Sequence, residues 1–366
     1  MAVNANGSQA GEMNQIPQHD RTALADRLQQ LKPEVAEEAI RMFLERHPEW
    51  LLKYGERARR YGIEDAGFHV EFLRGALEAG SIQAFEDYCA WAAGLLRARS
   101  IASHFLVEHL MQLETALGDR LSPGESALLA PVLEAGRAAC GREAPRPAQP
   151  DTPLALTRSV YLQSILIGAR AGSVQIVEEA LCNGAGVFDI YSQVFQESLY
   201  EVGRLWEAGK ISVSVEHRAT AITQLVMAGI YSRALPAKPS TPLRSAMVTG
   251  VAGELHQIGA NMVADVLENA GWNVEFLGTD APHGGILDAV EAQGTDLLCI
   301  SATMLFNLPS VIRLIRDLRA RSPKLKVLIG GAAFRAKPDL WKEIGADGFA
   351  ADLSSAVAAA DRLLAG

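Results

Sequence analysis

The last third of the sequence alternates short β-forming runs with amphipathic stretches, and this alternation constrains the fold more than any other feature. The β-forming runs are SAMVTGV, NVEFLG, DLLCISAT, KVLIGG and GFAAD, separated by stretches such as LPSVIRLIRDLRARS. Alternation of this kind is typical of a parallel sheet covered by helices on both faces. Such a sheet binds its ligand outside the carboxyl ends of the strands, where the strand order reverses.

Two proline clusters, REAPRPAQPDTP and LPAKPSTP, separate this segment from the rest of the chain. Proline fixes φ and lacks a backbone donor, so clusters of it mark boundaries. The predicted organisation is a disordered N terminus over 1–20, a helical domain over 21–143, a linker over 144–151, a second helical domain over 152–235, a linker over 236–243 and the α/β domain over 244–366.

Both segments before the α/β domain carry apolar residues at the three- and four-residue spacing of amphipathic helices. Examples are PEVAEEAIRMFLERH in the first and VEHRATAITQLVMAGIYSRAL in the second. The length of the second segment suits a four-helix bundle. The predicted fold class is therefore α/β combined with all-α.

Composition excludes several classes of protein. A net charge of -9 with no basic stripe argues against direct binding of nucleic acid. The four cysteines form no CxxC pair, which argues against a thiolate zinc site. No secretion signal opens the chain, and no apolar stretch reaches the roughly 18–20 residues that span a bilayer. We therefore expect a cytoplasmic protein with no membrane contact.

The loop after the first predicted strand reads GELHQIG, which places Glu254, His256 and Gly259 in the pattern E-x-H-x-x-G. A histidine there presents one ring nitrogen to a metal, and a nearby carboxylate holds the other N–H and fixes the tautomer. Gly259 leaves room for a bulky group. Ser301-Ala302-Thr303 and Gly330-Gly331 stand at the ends of the third and fourth predicted strands.

These motifs, in this order, resemble the cobalamin-binding domain of methionine synthase and its relatives over residues 244–366. The resemblance implies a flavodoxin-like Rossmann fold that binds cobalamin with its nucleotide base displaced from cobalt. Many relatives have Asp where this chain has Glu254. The implied roles are His256 as the lower cobalt ligand, Glu254 as its hydrogen-bond partner, Ser301 as a partner of the buried tail base, Thr303 as a lining residue, and Gly330 and Gly331 as the backbone beside the tail.

In the middle segment, nine residues separate Trp206 from the pair Glu216-His217. By itself this pattern is typical of a helix that ends near Gly209 and a new helix that follows. Beside a cobalamin domain it resembles the helical cap of the cobalamin-dependent light-sensing repressors. The resemblance implies that Trp206, Glu216 and His217 surround a 5′-deoxyadenosyl group. Glu207 stands where those repressors have a histidine.

The first segment does not resemble the MerR-type DNA-binding domain of those repressors. It is similar in layout to the globin-like sensor domain of the photocobilins, which combine adenosylcobalamin with a bilin. The resemblance implies bound biliverdin, held noncovalently. The candidate contact residues are Tyr88 and Trp91 for an aromatic slot, Arg97 and Arg99 for propionates, and His69, His104 and His109 for the pyrrole nitrogens, with Cys89 as a less favoured covalent site.

The leading hypothesis from sequence is a photoreceptor that binds adenosylcobalamin and biliverdin and is not itself an enzyme. Photolysis of the Co–C bond would move the cap, or change the oligomeric state of a homodimer, and signal to an unidentified partner protein. One alternative is a corrinoid methyl-carrier protein of a methyltransferase system, which shares the cap-plus-Rossmann layout. Another is a sensor of cobalamin level without a role for light.

Overall fold

The computed structural model describes Met13 and residues 16–143, 151–234 and 244–365. The chain divides into two compact units. The first holds the residues up to 143 together with Met304–Pro309, and the second holds 151–303 and those from 310 onward. None of the helices in the described ranges is long and apolar enough to cross a membrane. The predicted linkers over 144–151 and 236–243 lie almost entirely outside these ranges.

The first unit is helical, as predicted. Its described helices in chain order are α1 (Gln18–Arg46), α2 (Pro48–Tyr54), α3 (Glu56–Ala79), α4 (Ile82–Ala98), α5 (His104–Gly118) and α6 (Pro123–Ala139). Because α1 begins at Gln18, the predicted disordered segment 1–20 extends at least three residues too far. Whether these helices follow a globin path stays a prediction.

The second unit begins with the helices of the predicted bundle. They are α7 (Ala155–Ile167), α8 (Arg170–Cys182), α9 (Val187–Asp189), a π-helical segment (Ile190–Gln196), α10 (Glu197–Glu207) and α11 (Val213–Ala234). The core contains the rings of Tyr161 and Phe195, whose centroids lie 5.1 Å apart. Both side chains are fully buried, so the bundle has an apolar core of its own.

A five-stranded parallel sheet follows the bundle, which confirms the predicted alternation of strands and helices. The strands are β1 (Ser245–Val251), β2 (Asn273–Ala281), β3 (Leu297–Ser301), β4 (Lys326–Gly330) and β5 (Gly348–Ala350). Their spatial order, β2-β1-β3-β4-β5, is that of the flavodoxin-like folds. The order reverses between β1 and β3, so the crevice expected to hold a ligand lies at the carboxyl ends of these two strands.

The remaining helices cover the sheet. They are α12 (Gln257–Asn269), α13 (His283–Gln293), α14 (Leu308–Arg321), α15 (Leu340–Glu343) and α16 (Leu353–Leu363), with short 3-10 turns at Leu305–Asn307 and Ala332–Phe334.

Helix α12 is buried on two sides. Ala260 and Ala264 belong to the core that it forms with the sheet. Ile258 and Met262 belong to the core of the helical bundle. Because residues four apart share one face of a helix, these two pairs form separate apolar stripes. Helix α12 is therefore an element through which the bundle packs on the α/β domain, and Leu353 of α16 joins the same core.

A buried hydrogen bond joins the bundle to α12. The hydroxyl of Tyr191, in the π-helical segment, donates to Oδ2 of Asp265 at 2.5 Å. Burial raises the pKa of Asp265 from 3.8 to about 6; the bond from Tyr191 opposes this shift, and the nearby charge of Glu268 adds to it. The folded protein therefore binds a proton at Asp265 more tightly than the unfolded chain does.

Replacing Asp265 with Asn should change how stability depends on pH. Because the folded-state pKa is raised, the stabilising contribution of the protonated carboxyl is complete below about pH 4 and is lost as pH rises through about 6. The free energy of unfolding of Asp265→Asn should therefore rise relative to wild type over this window, by at most about 3 kcal/mol. Urea unfolding at pH 4, 5, 6 and 7 measures the difference, and parallel curves for the two proteins would contradict it.

Candidate functional site

Glu254 is the buried centre of the loop between β1 and α12. Its side chain is fully buried. Oε1 lies 2.6 Å from Nδ1 of His256 and accepts a hydrogen bond from the backbone N–H of the same residue at 2.9 Å. Oε2 accepts a hydrogen bond from the backbone N–H of Thr303, just beyond β3, at 2.7 Å. One carboxylate thus ties together the ends of two adjacent strands.

These hydrogen bonds keep Glu254 ionised. Burial raises the pKa of its carboxyl, but the bonds from the His256 ring and from the backbone of Thr303 and His256 outweigh burial, and the pKa lies below its usual value. An ionised carboxylate only accepts hydrogen bonds, so Nδ1 of His256 carries a proton and donates a hydrogen bond to Oε1. In the neutral form of the ring, Nε2 is then the nitrogen with the lone pair.

His256 itself is open to solvent, with 53% of its side chain exposed. It is the residue that precedes α12, and its backbone stands outside the helical region. Within the described ranges, the recorded contacts of its ring are those of Nδ1 with Glu254. The free Nε2 on an exposed ring with a fixed tautomer is the arrangement that a metal-ligating histidine needs.

Small residues form a row across the carboxyl ends of three strands. Gly250 of β1 is in register with Ser301 of β3, and Ser301 is in register with Gly330 of β4. A Cβ at Gly250 would lie 2.8 Å from Cγ2 of Thr279, and one at Gly330 would lie 3.0 Å from the carbonyl oxygen of Ala350. Close packing at the strand ends therefore favours glycine at both positions, and Ser301 stands between them in the register.

The backbone at position 331 requires glycine for a structural reason that is independent of any ligand. Its φ is 105°, and a Cβ there would lie 2.2 Å from the carbonyl oxygen of Ala302. The close approach of the ends of β3 and β4 therefore requires glycine. Gly259 differs, because a Cβ there would meet no atom within 4 Å. The space beside it fits the bulky group that the sequence predicted.

Two residues of this site were missed by sequence reasoning. Gly250 allows Glu254 to approach, since a Cβ at Gly250 would lie 3.1 Å from Cγ of Glu254. Asp280, at the end of β2, accepts a hydrogen bond from the backbone N–H of Gly253 at 2.8 Å and has a φ of 56°. The position of Gly250 beside Ser301 in a parallel sheet was a usable signal. The backbone conformation of Asp280 left no signal in the sequence.

The cap candidates are placed at one end of the bundle. Trp206 lies half-buried in the last turn of α10, and Glu216 and His217 lie in the first turn of α11. Oε2 of Glu216 is 2.5 Å from Nδ1 of His217, and 76% of the His217 side chain is exposed. The side chains of Glu216 and His217 thus contact each other, and that of His217 faces solvent.

Several of the residues predicted to contact a bilin pack against one another in the core of the first unit. The ring of Tyr88 stacks on Phe72 with centroids 3.8 Å apart, and its hydroxyl lies 2.6 Å from Nδ1 of His69. The ring of His109 lies 5.2 Å from that of His69. These side chains fill the volume that the predicted slot required, and Trp91 adds to the group, 6.1 Å from Tyr88.

The predicted propionate ligands point elsewhere. Arg97 donates to the carbonyl oxygens of Cys140 and Arg142, and Arg99 donates to that of Leu95. His104 packs against Phe105 rather than joining the other two histidines. Cys89 is a buried free cysteine. The structure therefore does not assemble these residues into one binding slot.

Known families match both halves of the second unit. A family model described as a B12 binding domain matches residues 244–360, and a second model of the same description matches residues 158–230. Dimethylamine corrinoid protein 1 of Methanosarcina acetivorans is 34% identical over 183 residues, which are 48% of this chain and 83% of that protein. The chain belongs to the cobalamin-binding corrinoid proteins.

Other corrinoid proteins are also similar to this chain. The dimethylamine corrinoid protein of Methanosarcina barkeri is 32% identical over 210 residues, 56% of this chain and 96% of that protein. The solved structure of the Methanosarcina barkeri monomethylamine corrinoid protein superposes with a TM-score of 0.52 at 23% identity, covering 58% of this chain and 100% of the other. This likeness supports the fold. The prediction of a cobalamin-binding protein is confirmed, and the prediction that the chain is not itself an enzyme agrees with its corrinoid relatives.

The photoreceptor hypothesis is wrong. The two sequence relatives named above are dimethylamine corrinoid proteins, and they favour the methyl-carrier alternative. The W-x9-E-H pattern lies within residues 158–230, which match a B12 binding domain, so it does not by itself specify a photoreceptor. The adenosyl form of the cofactor and biliverdin have no support from these relatives. The predicted signalling partner depended on the photoreceptor hypothesis, whereas dimerisation stays a prediction.

The two glycines of this site should respond differently to alanine. Gly331→Ala should lower the free energy of unfolding by about 2–4 kcal/mol, because it combines an unfavourable φ with a steric clash. Gly259→Ala, in the first turn of α12, should leave stability unchanged or raise it by up to about 1 kcal/mol. Urea unfolding without cofactor compares them. Equal stability of the two variants would contradict the backbone role of Gly331.

Proposed function

We propose that this corrinoid protein is a methyl carrier, which holds cobalamin with His256 beneath the cobalt and presents its upper face to methyltransferase partners. The observation that carries the proposal is the likeness to dimethylamine corrinoid proteins over 183 and 210 residues. The B12 binding domain models that match the bundle and the α/β domain support it. Bound cobalamin would supply a metal centre that accepts and releases a methyl group. The protein's residues bind, orient and expose that centre.

The loop after β1 would bind the lower side of the cofactor. Glu254 accepts the hydrogen bond of Nδ1, which leaves Nε2 of His256 as the atom that would hold the cobalt. Ser301, Gly330 and Gly331, at the carboxyl ends of β3 and β4, would lie beside the nucleotide tail. Thr303 contributes its backbone N–H to Glu254, so its role is to fix the carboxylate as well as to line the channel.

The upper side is consistent with an accessible cofactor. A carrier must expose the methyl group to partner enzymes, and a group that encloses an adenosyl ligand would obstruct it. The exposed, self-paired Glu216-His217 leaves that end of the bundle open. Trp206, half-buried at the same end, is the candidate that shields the metal between encounters.

Cofactor preference tests this proposal without a partner enzyme. Because a methyl carrier needs an accessible metal and no enclosure around an adenosyl group, the full chain should bind adenosylcobalamin no more tightly than methylcobalamin. Competition between the two, measured in the dark by equilibrium dialysis, gives the ratio of dissociation constants. A preference of about tenfold or more for adenosylcobalamin would contradict the methyl carrier.

Transfer tests the function itself. The cobalamin-loaded, reduced chain is mixed with ¹³C-dimethylamine and a dimethylamine-specific methyltransferase from Methanosarcina barkeri, and label retained with the protein is followed by NMR. The dimethylamine corrinoid protein of the same organism is the positive control. Label on both proteins supports a methylated-amine donor, and label on the control alone would contradict it.

Glu254→Gln should weaken cobalamin binding by about 10–100-fold. The amide places an N–H donor against either His256 or Thr303, both of which also donate, so the histidine loses its fixed orientation. Titration followed by the cofactor's absorption measures the affinity. Glu291→Gln, on the exposed side of α13, is the matched control and should bind as wild type does. Unchanged affinity in Glu254→Gln would show that the carboxylate does not position the ligand.

A further inference from the structure

A cavity of about 330 Å³ lies where the bundle meets the far end of α12. Its lining includes Phe188 and Tyr191 from the bundle, and Asp265, Val266 and Ala270 from α12 and its C-terminal end. His256 precedes the first residue of α12, so the rise of the helix separates it from the cavity by roughly 15 Å. The cavity is therefore distinct from the candidate cobalamin site, and its volume is suited to a small ligand.

One carboxylate oxygen is available to this cavity. The recorded hydrogen bonds to Asp265, from Tyr191 at 2.5 Å and from the Asn261 amide at 3.4 Å, both end on Oδ2. Oδ1 accepts none of the recorded hydrogen bonds among the described residues, although Asp265 lines the cavity. A polar ligand atom in the cavity would find an acceptor there.

The local charge favours a cation. Among the described residues that line the cavity, none is Lys, Arg or His. Glu268, one turn along α12, adds a second acidic group and holds the hydroxyl of Tyr231 at 2.5 Å. Burial and the charge of Glu268 raise the pKa of Asp265, which is expected of a carboxyl without a counter-charge.

The residues that line the cavity favour one kind of cation. Phe188, Val266 and Val357 are apolar, and the aromatic faces of Phe188 and Tyr191 attract positively charged groups that carry alkyl substituents. Asn269 and Ser354 add neutral polar groups to the lining. Ca²⁺ and Mg²⁺ take six or more oxygen ligands, and the described part of this lining has a single carboxylate, that of Asp265. We infer that the cavity binds a small organic cation of the alkylammonium class, with its charge at Asp265 and its alkyl groups against Phe188 and Val357.

Calorimetric titration of the cobalamin-loaded full chain tests this site. The probe is tetramethylammonium chloride, with neopentyl alcohol as the neutral probe of similar shape and sodium chloride as the ionic control. Tetramethylammonium should bind saturably, and neopentyl alcohol should bind at least about tenfold more weakly. Equal binding of the neutral probe, or no binding of the cation beyond the salt control, would overturn the inference.

Three variants locate the binding. Asp265→Asn removes the charge at constant volume and should weaken tetramethylammonium by about tenfold or more. Ala270→Phe fills the cavity from its exposed rim without changing charge, and should abolish binding. Asp288→Asn, an exposed acidic residue on α13, is the control and should bind as wild type does. Undiminished binding in either Asp265→Asn or Ala270→Phe would overturn the site.

Discussion

The buried carboxylate of Glu254 is the interaction on which the site depends. Full burial of a charge is costly unless hydrogen bonds compensate it, and here donors from His256 and from Thr303 do so. The same bonds fix the loop after β1 against the end of β3, at the point where the strand order reverses. The orientation of His256 is therefore a consequence of satisfying one buried charge.

Helix α12 connects this loop to the rest of the second unit. It starts directly after His256, packs its alanine stripe on the sheet, and packs Ile258 and Met262 in the bundle. The bundle is thereby held to the helix that directly follows His256. Asp265, farther along α12, is bonded to the π-helical segment of the bundle, so the ionisation of one buried carboxyl bears on how the two parts pack.

Much of the α/β domain was predictable because its signals are local. Strand ends, the E-x-H-x-x-G loop and the glycine pair follow from periodicity and motif, and the strand order agrees with the resemblance. The first unit shows the limit of such reasoning. Tyr88 and Trp91 share a helix face in the sequence, yet Phe72 and His69 fill the space beside them. Spacing alone does not distinguish a ligand slot from a core. Trp206 and Glu216-His217 likewise identify a bundle, whereas its use depends on what the upper face admits.

The most direct test of the account is electron paramagnetic resonance of the full chain loaded with unlabelled cobalamin in the Co(II) state, with ¹⁵N-labelled histidine in the protein. A nitrogen below cobalt splits the cobalt lines, into doublets if it is ¹⁵N and into triplets if it is ¹⁴N. The account predicts doublets, and their loss in His256→Ala. Triplets in the labelled wild-type protein would show that the cofactor's own base remains on cobalt, and would contradict the role given to Glu254 and His256.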